Sequence, residues 1–396
     1  MSGPLDWIDG ELWSLEEAGL IRQRREVTPR AGGRCRVGSR ELLNFASNDY
    51  LDLARDPRVV TAARAALDEA GVGASASALV SGRTCFHVAL EERLARFEGQ
   101  PAAVLFPTGF AANVATIGAL AGEGDAILSD QLNHASLIDG CRLSRARLEV
   151  YRHNDLNDLE QRLKASRTTG RRLIVTDSIF GMDGSLAPLP ELCQLAERRG
   201  AMLVIDEAHA TGVFGENGRG LAEHFGVEHR VTVRIGTLSK AIGAMGGFVA
   251  GSRPLIDWLW NRARTQIYST ALPPSVCAAA VAAIEIIESE PERRQNLLRH
   301  SDDFRRQIAA RGIETVAGSV GPIVPIILET PGRAVEAAWQ LERAGFLVAA
   351  IRPPTVPSGT SRLRISLTSA HQPADLERLA TALDLVLKEW PQPRAP

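Results

Sequence analysis

Between residues 100 and 210 the chain alternates two textures, and that alternation limits its fold more than any other feature. Short apolar runs rich in Val, Ile and Leu are "AAVLF" (102–106), "DAILSD" (125–130), "RLIVTD" (172–177) and "AMLVID" (201–206). Longer amphipathic stretches lie between them, among them "FAANVATIGALAG", "HASLIDGCRL" and "LPELCQLAERRG". A run that is apolar along its whole length fits a strand buried on both faces, and the longer stretches fit crossover helices. The pattern predicts an α/β fold with a mostly parallel central sheet. From about residue 285 a long charged helix, "PERRQNLLRHSDDFRRQIAARG", opens a smaller α+β domain. The expected division is an N-terminal helical segment over 1–40, a large α/β domain over 41–285 and a small one over 286–396. Within the first segment, residues 11–27 offer Leu12, Leu15, Leu20 and Ile21 to one helical face. The closing "PQPRAP" reads as a frayed tail.

Length and charge exclude several classes. The 396 residues suffice for two domains with a large core. A net charge of −2 supplies no electrostatic reason to bind nucleic acid or an anionic membrane, and no apolar run reaches spanning length. The five cysteines are scattered and show no CxxC spacing, which argues against a disulfide framework or a metal site. The opening "MSGPLDWIDGELW" lacks the charged and apolar regions of a signal peptide. These features together predict a cytoplasmic protein.

In an open α/β sheet, ligands gather beyond the carboxyl ends of the strands. Asp206 ends one apolar run and His209 follows it; Asp206 either caps the next helix or pairs with a protonated ring nitrogen. His134 in "DQLNHASL" is either a satisfied core histidine or a flat partner for an aromatic cofactor. Thr108, Gly109 and Phe110 stand at a strand-to-helix junction, where free N–H groups make an anion seat. "GTLSKAIGAMGG" (236–247) adds the hydroxyls of Thr237 and Ser239, and places Lys240 in a turn of small residues. No GxxxxGK[ST] occurs, and no GxGxxG follows a strand, so neither a nucleotide loop nor a dinucleotide site is indicated. An anion seat, a ring-nitrogen carboxylate, a stacking histidine and a lysine together describe a pyridoxal 5′-phosphate site, with Lys240 as the Schiff-base lysine.

Seven stretches then appear in order: "NFASNDYLDL", "FPTGFAAN", "NHASLIDG", "VTDSIFGMDGSLAPL", "VIDEAHATGVFGENGRG", "GTLSKAIGAMGG" and "YSTALPP". With them the chain resembles the α-oxoamine synthases, pyridoxal-phosphate enzymes that condense an amino acid with an acyl thioester and release carbon dioxide. The resemblance runs from about residue 20 to 390. It implies a fold-type I transferase with Lys240 bound to the cofactor, Asp206 at the pyridine nitrogen and His209 at the phenolic oxygen. It also implies His134 stacked on the ring and the phosphate held by Gly109, Phe110 and Thr237. Thr270 would reach the phosphate from the partner subunit of a homodimer with shared sites. Asn48 and Arg364 would bind the amino acid carboxylate, with Arg22, Arg352 and Thr355 at the acyl substrate.

The segment "AIRPPTVPSGTSRLRISLTSAH" (350–371) most resembles the branch that joins L-alanine to a pimeloyl thioester, on coenzyme A or on acyl carrier protein. A sister branch joining glycine to acetyl-CoA or succinyl-CoA is the alternative. A non-catalytic partner subunit would be expected to lack Lys240, and a plain aminotransferase has no use for the 350–371 segment. Asp52 stands where the family usually has Gly, and Gly181 where related synthases often carry Ser. Alanines in "GASASALVSG" replace part of a Gly-Ser-rich loop.

Overall fold

The computed structural model describes residues 3–166 and 168–388; the "PQPRAP" tail lies outside them. Two compact units emerge, and their boundaries differ from 40 and 285. One contains the chain up to Ser47, the short piece Met182–Gly184 and everything from Leu297 on; the other contains Asn48–Gly181 and Ser185–Asn296.

The larger unit is built on seven strands: β1 (Ala102–Phe106), β2 (Ala126–Asp130), β3 (Arg147–Tyr151), β4 (Arg172–Asp177), β5 (Met202–Asp206), β6 (Val233–Thr237) and β7 (Gly247–Gly251). Their order across the sheet is β1-β7-β6-β5-β4-β2-β3. The pairs from β6 through to β3 are parallel, and β7 runs antiparallel between β1 and β6. Val104, Ile127, Val175, Val204, Ile235 and Val249 join one apolar cluster with Ala112, Ala115 and Ile117 of α1 (Gly109–Leu120). Burial on both faces is why the apolar runs carry no alternation. The parallel sheet expected from the four apolar runs is therefore present.

Local sequence places the ends of these elements. Thr108 caps α1 through its hydroxyl, which accepts from Ala111 N–H at 3.0 Å. Gly247 opens β7 against the β1–α1 turn, where a Cβ would lie 2.5 Å from the Thr108 carbonyl oxygen. Only glycine lets the backbone come so close. Asp52 takes φ +53, a left-handed conformation that glycine adopts without cost. The turn is kept, with Asp52 N–H bonded to Asp49 O at 3.1 Å.

The other unit corrects the expected N-terminal helical segment. A helix spans Trp7–Glu17 only, and buries none of its residues. Gly19, at φ +66, follows the helix end, and Arg22, Arg24 and Arg25 provide no apolar face on which to continue it. Strands Thr28–Arg30, Arg34–Val37 and Arg40–Asn44 then form an antiparallel meander that pairs with Phe346–Leu347. A second sheet joins Ile323–Glu329, Ser361–Ser366 and Ala349–Ile351. Among the described residues, no helix is long and apolar enough to cross a membrane.

In this unit His371 is fully buried and stacks on Phe45, with ring centroids 3.9 Å apart. Its Nδ1 accepts from Thr368 N–H at 3.1 Å. Burial pushes the imidazole down to about 4, whereas an unfolded histidine titrates near ~6.5. The folded state thus binds fewer protons between these values. Stability is complete above pH ~6.5 and is lost as pH falls through 4, by about 3 kcal/mol in full. Urea midpoints between pH 7 and 4 should fall less steeply in His371→Asn, which keeps an acceptor for Thr368 N–H. An unchanged slope would assign the acid sensitivity to other groups.

Candidate active site

The carboxyl ends of β1, β4, β5 and β6 converge on one group of polar side chains. Asp177 and Asp206 are register partners at the ends of β4 and β5, and both are buried. Asp206 Oδ1 accepts from Ala208 N–H at 2.8 Å, and Oδ2 from the Asn113 side-chain amide at 2.6 Å. Asp177 Oδ2 accepts the backbone N–H of His134 at 2.6 Å. Burial, and then the negative charge of Asp206, push the Asp177 carboxyl well above the usual range. Two buried acids side by side do not ionise together readily, and Asp177 is the one whose hold on its proton is raised.

His134 caps α2 (Ala135–Leu143) and lies within electrostatic reach of Asp206 and Lys240. Burial lowers its affinity for a second proton; Asp206 opposes that shift, and Lys240 adds to it. His209 is buried, and its Nδ1 bonds the Tyr50 hydroxyl at 2.7 Å. Asn48 Oδ1 accepts more weakly from the same hydroxyl, at 3.3 Å. A Cβ at Gly181 would collide with His209 Nε2, so glycine here opens the space which that ring occupies.

Gly109 begins α1 directly against Thr237: a Cβ at Gly109 would meet Thr237 Oγ1 at 3.1 Å. The N–H groups of Gly109 and Phe110, in the first turn of α1, have no partner within the helix. Gly109 lies beside the Thr237 hydroxyl, and the positive end of the helix dipole at this turn favours an anion. Thr237 itself donates to the Gly246 carbonyl at 2.9 Å, and the exposed Ser239 to the same oxygen at 3.3 Å. The turn carrying Lys240 is therefore closed by its own hydroxyls. Thr270 is exposed and forms an isolated antiparallel bridge with Ser77.

Nine expected residues thus belong to the larger unit: Asn48, Gly109, Phe110, His134, Asp206, His209, Thr237, Lys240 and Thr270. Arg22, Arg352, Thr355 and Arg364 belong to the other. There the Arg352 guanidinium donates to Gly19 O and Ile21 O at 2.9 and 2.8 Å, holding the segment that leads into the exposed Arg22. Burial and the charge of Arg22 lower the Arg352 pKa, so the two cations are neighbours. Arg364 is buried and donates to Ser366 Oγ at 2.7 Å. Asn113, Ser136 and Tyr50 were not singled out from the sequence. The one available signal for Asn113 was an amide within the otherwise small and apolar "FAANVATIGAL".

A parallel-sheet unit with a carboxylate, two histidines and a lysine at its strand ends is the frame of a pyridoxal-phosphate transferase. The chain belongs to the aminotransferase class I and II family, whose model matches residues 40–383, and its cofactor is pyridoxal 5′-phosphate. It is 50% identical to a protein named 8-amino-7-oxononanoate synthase from Anaeromyxobacter dehalogenans, over 98% of this chain and 97% of that one. It is 48% identical to the protein of the same name from Geobacter sulfurreducens, over 96% and 98%. Among solved structures, Sphingomonas wittichii serine palmitoyltransferase superposes with a TM-score of 0.93 at 31% identity, covering 98% of this chain and 99% of that one. The cofactor fits the residues present. The α1 N-terminus beside Thr237 suits a phosphate, and Asp206 is a buried acceptor for a ring N–H.

Proposed function

We propose that this enzyme condenses L-alanine with a pimeloyl thioester, carried on coenzyme A or acyl carrier protein, in biotin formation. The products are 8-amino-7-oxononanoate, carbon dioxide and the free thiol. The observation that carries the reading is His134 within electrostatic reach of Lys240 and Asp206, in a chain half identical to proteins of that name. Bound pyridoxal phosphate supplies an electron sink for a carbanion at the amino acid Cα. The protein's part is to hold charge and move protons. Lys240 Nζ binds the cofactor and takes the Cα proton. Asp206 keeps the ring nitrogen protonated, which makes the sink effective. His209, oriented by Tyr50, donates toward the phenolic oxygen. His134 lies against the ring and offers a donor to the thioester carbonyl as charge develops there. Gly109, Phe110 and Thr237 seat the phosphate, Asn48 and Arg364 the alanine carboxylate, and Arg22, Arg352 and Thr355 the acyl chain.

The same reading makes the enzyme a cytoplasmic homodimer. Val72, Val80 and Tyr268 are 81%, 80% and 73% exposed in the single chain, the degree of apolar exposure that a second copy would cover. That copy would bring Thr270 to its neighbour's phosphate. The described cysteines are all free, in keeping with a reducing compartment.

Thiol release measured with L-alanine, glycine or L-serine against pimeloyl-, acetyl- or palmitoyl-CoA tests the reaction. Each methylene buried in an apolar channel contributes about 0.8 kcal/mol, so pimeloyl is expected to outpace acetyl by orders of magnitude. Faster turnover of glycine with acetyl-CoA would move the chain to the sister branch and leave the site residues in place.

A further inference from the structure

His134 and Asp206 are joined by a chain of hydrogen bonds through two residues that touch neither substrate nor cofactor in the reading above. The Asn113 amide nitrogen lies 2.6 Å from Asp206 Oδ2 and 2.8 Å from Ser136 Oγ. Ser136 Oγ lies 2.7 Å from His134 Nδ1, and Ser136 N–H points to that nitrogen at 3.3 Å. Asn113 is 2% exposed and Ser136 is fully buried.

Donor counting fixes the direction of this chain. A carboxylate only accepts, so the NH2 end of the Asn113 amide faces Asp206. One amide hydrogen goes to Asp206 and the other to Ser136 Oγ. Ser136 Oγ, accepting from Asn113, turns its own proton toward His134 Nδ1. That nitrogen then receives two donors and carries no proton, so the ring proton sits on Nε2. Asn113 Oδ1, by contrast, is buried with no hydrogen-bond partner among the described residues. An unpaired buried carbonyl destabilises the fold. An apolar side chain on this apolar helix would avoid that cost, so the amide is explained by what its NH2 group holds.

We propose that Asn113 and Ser136 are positioning residues that lock His134 in its Nε2–H tautomer and fix Asp206 Oδ2 in one orientation. One chain thereby sets both the donor offered by the stacking histidine and the carboxylate offered to the ring nitrogen. The inference rests on the reading of His134 and Asp206 given above. Burial and the positive charge of Lys240 favour the neutral ring that a tautomer lock requires, while Asp206 and Asp139 pull the other way.

The direct test is nitrogen NMR of the cofactor-loaded enzyme carrying 15N-histidine, with the His134 signals assigned by their loss in His134→Asn. The wild-type protein is expected to show a pyridine-like Nδ1 and a protonated Nε2. Ser136→Ala and Asn113→Ala should each move the Nδ1 resonance, and Ser136→Thr, which keeps the hydroxyl, should return it. Turnover in Ser136→Ala should fall about tenfold with cofactor still bound, the scale of one neutral hydrogen bond. A wild-type His134 protonated on Nδ1, or an Nδ1 resonance unmoved in both alanine variants, would overturn the proposal. Failure of the underlying reading looks different: the visible cofactor band would then be unchanged in both His134→Asn and Asp206→Asn.

Discussion

Borohydride reduction of the cofactor-loaded enzyme is expected to leave a pyridoxyl group on Lys240 and on no other residue. The chain has three lysines, and the structure separates them sharply. Lys164 pairs with Glu160 at 3.3 Å and Lys388 with Asp384 at 2.7 Å, one helical turn apart on side chains 55% and 69% exposed. Such surface pairs are worth about 0–1 kcal/mol and need no chemistry to explain them. Lys240 instead sits in a turn within electrostatic reach of His134 and Asp177. An amine there can both carry an aldehyde and move a proton. Lys240→Ala is therefore expected to lose the reducible adduct and to lower turnover by about 100- to 10,000-fold, the contribution of a positioned proton-transfer group. Lys164→Ala and Lys388→Ala should be indistinguishable from wild type. Peptide mapping after reduction decides the point, and label on Lys164 or Lys388 would dissolve the site as described.

What could be read before the structure follows from where the physics is local. Strands β1, β2, β4 and β5 announced themselves because burial on both faces leaves an unbroken apolar run. Strand β3, "RLEVY", is the last strand of the sheet and partly exposed, so its charges masked it. The short strands before Asn44 were missed for another reason. "RCRV" and "RELLN" are polar and brief, and the last is completed by Phe346–Leu347 about 300 residues on, a pairing that no window of sequence contains. The site divided in the same way. Lys240, Asp206 and His134 stand at strand ends, where position alone suggests a role. Asn113 and Ser136 lie inside two helices, and their meaning arises only when those helices pack. Tyr50 sat within a quoted stretch, but its contact with His209 spans 159 positions. Gly181 was visible as a departure, and only the collision of an added Cβ with His209 says what it makes room for.

Asp206→Asn is expected to retain bound cofactor and to lose about 3–5 kcal/mol of transition-state stabilisation, roughly 150- to 5,000-fold in turnover. The argument turns on which member of a buried acid pair carries the charge. Asp177 and Asp206 are register partners on adjacent parallel strands, and two charges so close and so buried are costly. Asp177 is the one that holds its proton more tightly, pushed up by burial and by its neighbour. Asp206 has two donors, Ala208 N–H and the Asn113 amide. In the proposed reaction a protonated ring nitrogen would complete that set, and an asparagine side chain could not keep it protonated. The proposed phosphate seat and Lys240 are untouched, so binding should survive while the electron sink weakens. Removing Asp206 also removes the charge that helps to hold the proton on Asp177, so the Asp177 carboxyl should ionise at lower pH in the variant. Asp177→Asn is the control. It keeps an acceptor for His134 N–H and changes the acid that holds its proton more tightly, so its loss should be well under tenfold. The two variants are compared by single-turnover exchange of the alanine Cα proton. If Asp206→Asn turns over nearly as wild type while Asp177→Asn collapses, the charge lies on Asp177, and the ring-nitrogen partner is one strand over.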